Sequence, residues 1–391
     1  MRSFTFNSKT NQHERAVPQQ PWNRVALLLL IIVLPAVGAW EWHWRSQGYV
    51  PDYDNTENMW AEFRAKAEKA DAEYTVILGS SRALFGIDLA AWRAVKGDDK
   101  IIQLAQVGSS PLPILKDLVE NTDFAGALVV SVTPGLFFNK GPFGGFTSAW
   151  ANSLVRHYHK WSPAQKMEHG TALMVEPMLA FVNQGALTLG KLVHNLPIPN
   201  RPDAMFGFGD VPLITVPEFA NYSREREAKM TERMMTDTVF QWRVRNLWAG
   251  LRSMTAPRTT ISAFKEGIRK NMAGEYPERT PMATWRPAER DSFYLQINDL
   301  VQAFKNRGGQ LIFIRPPTAG EMRASEKHYL PREKYWERLL RETNCAGVHF
   351  EDYESLQGLE LPEWSHIRAD QAPVFTKALA GLVYEKLKQV E

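Results

Sequence analysis

The stretch YTVILGSSRALFGIDLAAW, residues 74–92, sets the fold class of the chain. Its first five residues are a compact apolar run, the pattern of a strand covered on both faces. That run leads straight into Gly79-Ser80-Ser81-Arg82. Asp88, a residue type favoured at helix N-caps, then opens a helical pattern through Val95 with Leu89 and Trp92 among its apolar positions. The alternation repeats. Residues 101–105 read as a second strand, followed by Gly108-Ser109-Ser110-Pro111 and a helix over 112–120. A third strand, ALVVSV at 127–132, is rich in β-branched residues and bounded by Gly126 and Pro134. Strands separated by single helices specify an α/β fold with a parallel sheet and right-handed crossovers.

The pattern stops between about 141 and 290. Helical pieces there are interrupted by LPIPNRPDAMFGFGDVPLITVPEF, and Met167, Met174, Met178, Met230, Met234 and Met235 give the region a pliable apolar character. This is a mainly helical insertion, read either as a substrate-recognising cap or as a stabilising element. After a helix at 292–307, Gly308-Gly309 turns the chain into QLIFIRPP, a fourth strand, and GVHFED at 347–352 is a fifth. A closing helix over 370–390 carries Phe375, Leu379, Leu382, Val383 and Leu387 on one face, with Asp370 as N-cap and Pro373 in its first turn. Residues 73–391 thus form one domain with an insertion.

The N-terminal region sets the expected location. The run VALLLLIIVLPAVGA at 25–39 carries no charge and is framed by Trp22 and Arg24 before it and by Trp40, Trp42 and Trp44 after it. Residues 25–44 read as a transmembrane anchor. Arg2, Lys9, Arg15 and Arg24 precede it against the single acid Glu14, while Glu41, Asp52, Asp54 and Glu57 follow. That asymmetry expects a cytoplasmic tail over 1–24 and a domain outside the inner (cytoplasmic) membrane. A signal peptide cleaved after Val37-Gly38-Ala39 is the rival reading. Asp54 and Glu57 have capping-box spacing, and Met59, Phe63 and Ala67 recur helically, so 45–72 reads as a stalk helix. The basic tail accounts for the whole formal charge of +3, leaving the rest of the chain neutral and without a nucleic-acid footprint in its net charge. Cys345 is the sole cysteine, so no intramolecular disulfide forms.

Reacting groups in open parallel sheets gather beyond the carboxyl ends of the strands. Ser80 and Ser81 follow the first strand, Gly108 the second, and Thr133 and Pro134 the third, while Glu363-Trp364-Ser365-His366 lies between the last strand and the closing helix. A serine attacks a carbonyl when a base takes its proton and donors stabilise the oxyanion. His366 is the natural base for Ser81, and Glu363, three positions earlier, is placed to orient its ring. The backbone N–H groups of Ser81 and Gly108 are suitable oxyanion donors. Taken singly, a Ser-Ser after a strand is commonly a turn or cap, and a Glu-x-x-His a surface ion pair.

This set of blocks resembles the SGNH superfamily, also called GDSL-type hydrolases. Gly79-Ser80-Ser81 corresponds to its Gly-Asp-Ser block, with Ser81 as nucleophile and Ser80 where the aspartate usually stands. Gly108 corresponds to the second block's glycine, and Glu363-Trp364-Ser365-His366 to the final Asp-x-x-His with glutamate for aspartate. The third block, Gly-x-Asn-Asp, is absent after VSVTPGLFFNK, and Asn139 is the nearest candidate for its oxyanion asparagine. The resemblance implies a three-layer sandwich. A Gly-Ser-Ser block behind one anchor is similar to the D-alanine-transfer protein of teichoic acid synthesis. It is also similar to the extracytoplasmic partners of membrane-bound O-acyltransferases that acetylate polysaccharides. Acyl transfer or ester hydrolysis through an acyl-serine, without cofactor, is what that implies; the alternative is a degenerate member that binds polysaccharide or the acyltransferase as a scaffold.

Arg315, at the tip of the fourth strand, is a candidate for an anionic substrate group or a rim salt bridge. His157, His159 and His169 lack cysteine or ordered carboxylate spacing, so no metal site is expected from them. His349 reads as a strand residue facing a covering helix or solvent. There is no P-loop and no G-x-G-x-x-G.

Overall fold

Residues 21–46, 48–139, 142–182, 219–253 and 285–389 are described by the computed structural model. The tail over 1–20 and the proline-rich part of the insertion lie outside them. One compact unit ends at Tyr49 and a second begins at Val50. The first consists mainly of α1, Trp22–Ser46, a helix long and apolar enough to cross a membrane. Trp40, His43, Trp44 and Tyr49 make ring contacts with one another at its C-terminal end.

In the second unit, strand periodicity sends alternate side chains into two separate cores. The helix α2, Glu57–Glu68, comes first, followed by strand β1, Thr75–Leu78. Then come α3, Ser81–Gly86, α4, Leu89–Lys96, β2, Ile101–Gln103, α5, Leu112–Asn121, and β3, Ala127–Ser131. A short α6, Pro134–Phe137, follows, and the insertion contributes α7, Phe146–His159, and α8, Pro163–Val175. An antiparallel ribbon of β4, Ala220–Tyr222, and β5, Ala228–Met230, follows, then α9, Glu232–Thr236, and α10, Thr238–Ser253. The sheet resumes after α11, Pro287–Asn306, with β6, Gln310–Arg315. Two helices, α12, Gly320–Tyr329, and α13, Arg332–Thr343, lead to β7, Ala346–His349, and α14, Ala372–Lys388, closes the chain.

The five central strands are parallel in the order β2-β1-β3-β6-β7, which confirms the α/β expectation. Val76, Leu78, Leu128, Val130 and Phe313 join one core with α2, α5, α11 and α13. Ile77, Val129, Ile312, Ile314 and Val348 face the other, with α4 and α14. From β1 the chain leaves to β2 on one side, and β3 lies on β1's other side. The crevice at their carboxyl ends is therefore the switch point where open sheets of this kind hold ligands.

Several expectations need correction. The helix α2 is not a stalk: Met59, Trp60, Phe63 and Ala67 are buried in the domain core. The Trp60 indole N–H donates to Leu104 O at 3.1 Å, and buried Arg64 pairs with Asp117 of α5 at 2.6 Å. Its N-cap is Thr56, whose side chain accepts from Met59 N, rather than Asp54. Asp88 caps α4 as expected, accepting from Ala91 N at 2.8 Å, yet a further helix, α3, precedes it. The closing helix starts after Gln371, while Asp370 pairs with Arg368. Beyond His349 the chain turns into a 3-10 segment, Phe350–Asp352, instead of continuing the fifth strand.

The insertion is latched to the sheet edge by Arg226, in the β4–β5 turn at φ 66°, a left-handed conformation uncommon for a side chain of this kind. Its buried guanidinium donates to Gln103 O, Ala105 O, Gln106 Oε1 and Asn55 Oδ1 at 2.8–3.1 Å. Among the described residues no carboxylate pairs with it, and burial pushes its pKa down to about 9. Replacing it with a hydrocarbon strands these acceptors. Arg226→Met is expected to cost about 2–3 kcal/mol, read from denaturant midpoints; a loss within 0.5 kcal/mol, about the effect of a neutral surface change, would rule out the latch.

Candidate functional site

The site assembles at the carboxyl ends of β1, β2 and β3. A Cβ on Gly79 would lie 2.7 Å from Ser131 Cβ and 2.8 Å from Ala83 Cβ, so only glycine lets β1 turn this close to β3. The chain then enters α3 with Ser80 at its N-cap and Ser81 as first helical residue. Ser80 does not cap with its side chain; its buried hydroxyl bonds that of Thr133 beyond β3. The two serines are thus separated in role. Ser80 ties two strand ends together, and Ser81 is partly exposed with its N–H at a helix start, where the first amides lack intrahelical acceptors.

Gln106 N donates to Gly79 O at 3.0 Å, which brings the β2 end alongside the serine turn. Two residues on, Gly108 is exposed at φ 61°. Thr147 of α7 then joins the neighbouring loops: its carbonyl accepts from Ser110 N at 2.8 Å, and its hydroxyl accepts from Asn139 Nδ2 at 2.8 Å. The Asn139 amide is therefore engaged with Thr147.

The Glu363–His366 pair is present as an oriented dyad. Glu363 and His366 are 0% and 3% exposed. One carboxylate oxygen, Oε1, accepts from both His366 N at 2.6 Å and His366 Nδ1 at 2.9 Å, which places the ring proton on Nδ1. The other, Oε2, accepts from the indole of Trp248 on α10. His366 Nε2 is buried and makes no hydrogen bond among the described residues, so a proton-accepting nitrogen stands without a partner there. Phe85, Phe219 and Trp248 pack on the imidazole with ring centroids 4.6, 5.6 and 5.9 Å away.

The loop bearing the dyad is held under strain. Trp364 sits at φ 74°, costly for a bulky residue, and its carbonyl accepts from Ala319 N at 3.0 Å. Arg245 bonds Pro362 O at 3.0 Å through Nε and lies over the Trp364 ring at 4.8 Å. The serine turn is fastened to this loop by the neighbours of the two candidate residues: Arg82, next to Ser81, donates to Ser365 Oγ, next to His366, at 3.3 Å. Ser81 and His366 form no hydrogen bond with each other.

Arg315 is placed differently from a substrate contact. It is 3% exposed, bonded to Glu326, Thr318 Oγ1 and Pro316 O. Glu326 also takes Arg82 at 2.8 Å, so one carboxylate serves two arginines. Burial alone would raise the Glu326 pKa, but Arg315 and Arg82 outweigh it and hold it down to about 2. His349 is buried against Trp336 of α13 and accepts from Glu351 N, the covering-helix alternative; burial, with Arg315 and Arg332 nearby, lowers its pKa to about 3 and keeps it neutral. His157, His159 and His169 pair with Asn58, Asp117 and Glu62 respectively, and among the described residues no group of His, Cys, Asp and Glu is arranged to hold a metal.

Trp248, Arg245, Arg82 and Glu326 were not singled out as site residues by sequence reasoning. The only available signal was Arg82's place directly after Ser81. These features define a parallel α/β domain with a Glu–His dyad beside a serine-bearing turn. No protein-family model matches the chain, and no curated protein matches it.

Because the Glu326 pKa is depressed, its stabilisation is full above the ordinary carboxylate value of 4.5 and lost as pH falls from there towards about 2. Glu326→Gln leaves two buried arginines without an anion, and is expected to cost about 3–5 kcal/mol at neutral pH while flattening the stability profile over that acid window. Unfolding midpoints measured from pH 7 to 2.5 test this; an unchanged profile would contradict it.

Proposed function

We propose that this chain is a membrane-anchored, extracytoplasmic SGNH-like serine O-acyltransferase or esterase acting on envelope or secreted polysaccharide. One observation carries the reading: a buried Glu363–His366 dyad whose Nε2 has no partner, fastened through Ser365 and Arg82 to the turn that presents Ser81. In this mechanism Ser81 Oγ attacks an acyl carbonyl as its proton passes to His366 Nε2. Glu363 stabilises the imidazolium. Collapse of the tetrahedral intermediate expels the donor's alkoxide, which takes the proton back from His366. A sugar hydroxyl, or water, then attacks the acyl-serine with His366 again as base, and the serine is regenerated.

The Ser81 and Gly108 amides would receive the oxyanion. Asn139 is a weak third donor because its amide is bonded to Thr147, and loss of one such donor typically costs about 100- to 1,000-fold in turnover. That engaged amide is what favours the second reading, a non-catalytic scaffold for polysaccharide or a membrane-bound O-acyltransferase. The apolar α1, with basic residues before it and acidic ones beyond, supports the anchored, cytoplasm-to-outside topology. In the enzyme reading the acyltransferase is the partner that supplies acyl groups across the membrane.

A fluorophosphonate probe applied to the full chain is expected to label it, with labelling falling at least about 1,000-fold in Ser81→Ala and in His366→Ala. Background labelling of the wild type, together with a wild-type envelope phenotype for Ser81→Ala, would leave the scaffold.

A further inference from the structure

Glu363 is a fully buried carboxylate, and such a group stays ionised only where hydrogen-bond donors replace its water. His366 supplies two donors, both to Oε1. The Trp248 indole is the donor on Oε2, and it comes from α10, inside the insertion. Phe219, at the start of the β4–β5 ribbon, packs on both the Trp248 and His366 rings. The segment that breaks the strand-helix alternation therefore reaches the dyad directly.

We propose that Trp248 is a positioning residue, whose indole N–H holds the Glu363 carboxylate, and with it the His366 ring, in a single orientation and tunes how tightly the dyad holds a proton. This rests on the acyl-serine reading and deepens it by making the insertion a working part of the site. The donor matters most when His366 is neutral, because an imidazolium would itself stabilise the carboxylate. Removing the N–H thus destabilises the proton-free dyad more than the protonated one, and the dyad gives up its proton at higher pH. The charged groups facing the dyad are Arg245 on α10, with Glu321 of α12 beside it, and Arg82 on α3, backed by Glu326 and Arg315. All remain in place when the indole alone is changed.

The test compares wild type, Trp248→Phe and, as control on the same helix, Trp242→Phe at an exposed position. Full chains in detergent are assayed by hydrolysis of p-nitrophenyl acetate and by titration of the His366 Cε1–H resonance, assigned by its loss in His366→Gln. In Trp248→Phe the acid limb of kcat/KM and the His366 midpoint are expected to rise together by about 0.5–1 pH unit, with kcat down about tenfold and KM unchanged within about twofold. Trp242→Phe is expected to match wild type. Loss of activity with both midpoints unmoved overturns the proposal, since packing alone would explain it. A shifted His366 midpoint in a chain with no esterase activity and no probe labelling sinks the acyl-serine reading but upholds the Trp248 coupling. Should Trp248→Phe fail to fold, the wild type still decides: an indole N–H resonance that titrates at the His366 midpoint supports the proposal, and the absence of one overturns it.

Discussion

The carboxylate of Glu326 is the constraint on which the sheet's carboxyl edge depends. It accepts from Arg82, in the helix after β1, and from Arg315, at the end of β6. Both arginines and the glutamate are at most 4% exposed. Burying ions costs several kcal/mol each, so such a cluster persists only when geometry satisfies most of its donors. Its consequence is positional. With Arg82 anchored from behind, its Nε reaches Ser365, and the serine turn and histidine loop are held side by side though far apart in sequence.

Each component of the site is secured by something other than its chemistry. Gly79 is required by the approach of β1 to β3, and Ser80 spends its hydroxyl on Thr133. Trp364 adopts a left-handed conformation that the contacts of Ala319 and Arg245 over-determine. Ser81 and His366 Nε2 have no such duty, one partly exposed and the other lacking a hydrogen bond among the described residues. The buried hydroxyls of Ser109 and Ser131, near the ends of β2 and β3, also lack hydrogen-bond partners among the described residues, so an open polar group does not by itself single out these two.

The five strands were legible because an apolar run bounded by glycine or proline has one economical solution in a parallel sheet. The helix α3 was not, since six residues ending in Gly86 are too short to display a period. The helical period of Met59, Phe63 and Ala67 was read correctly as a helix, yet periodicity does not name the surface a helix covers, and α2 belongs to the core rather than to a stalk. Arg315 was rightly placed at a strand tip, but the partner that buries it lies on a helix that the sequence reading passed over. Ser81, Gly108, Glu363 and His366 were put forward as candidates because their order along the chain follows the order of strand ends in an open sheet.

By itself the sequence determined the parallel α/β class, the apolar N-terminal helix, the Asp88 cap, and the pairing of Glu363 with His366, because each follows from local periodicity or from residues within one turn of each other. Only the tertiary structure decided that Ser80 is structural while Ser81 stays open, that Arg315 is enclosed by Glu326, and that Trp248 reaches the dyad from the insertion. Those assignments depend on which distant segments share a buried space, and burial decides which polar groups must find partners and which are left free.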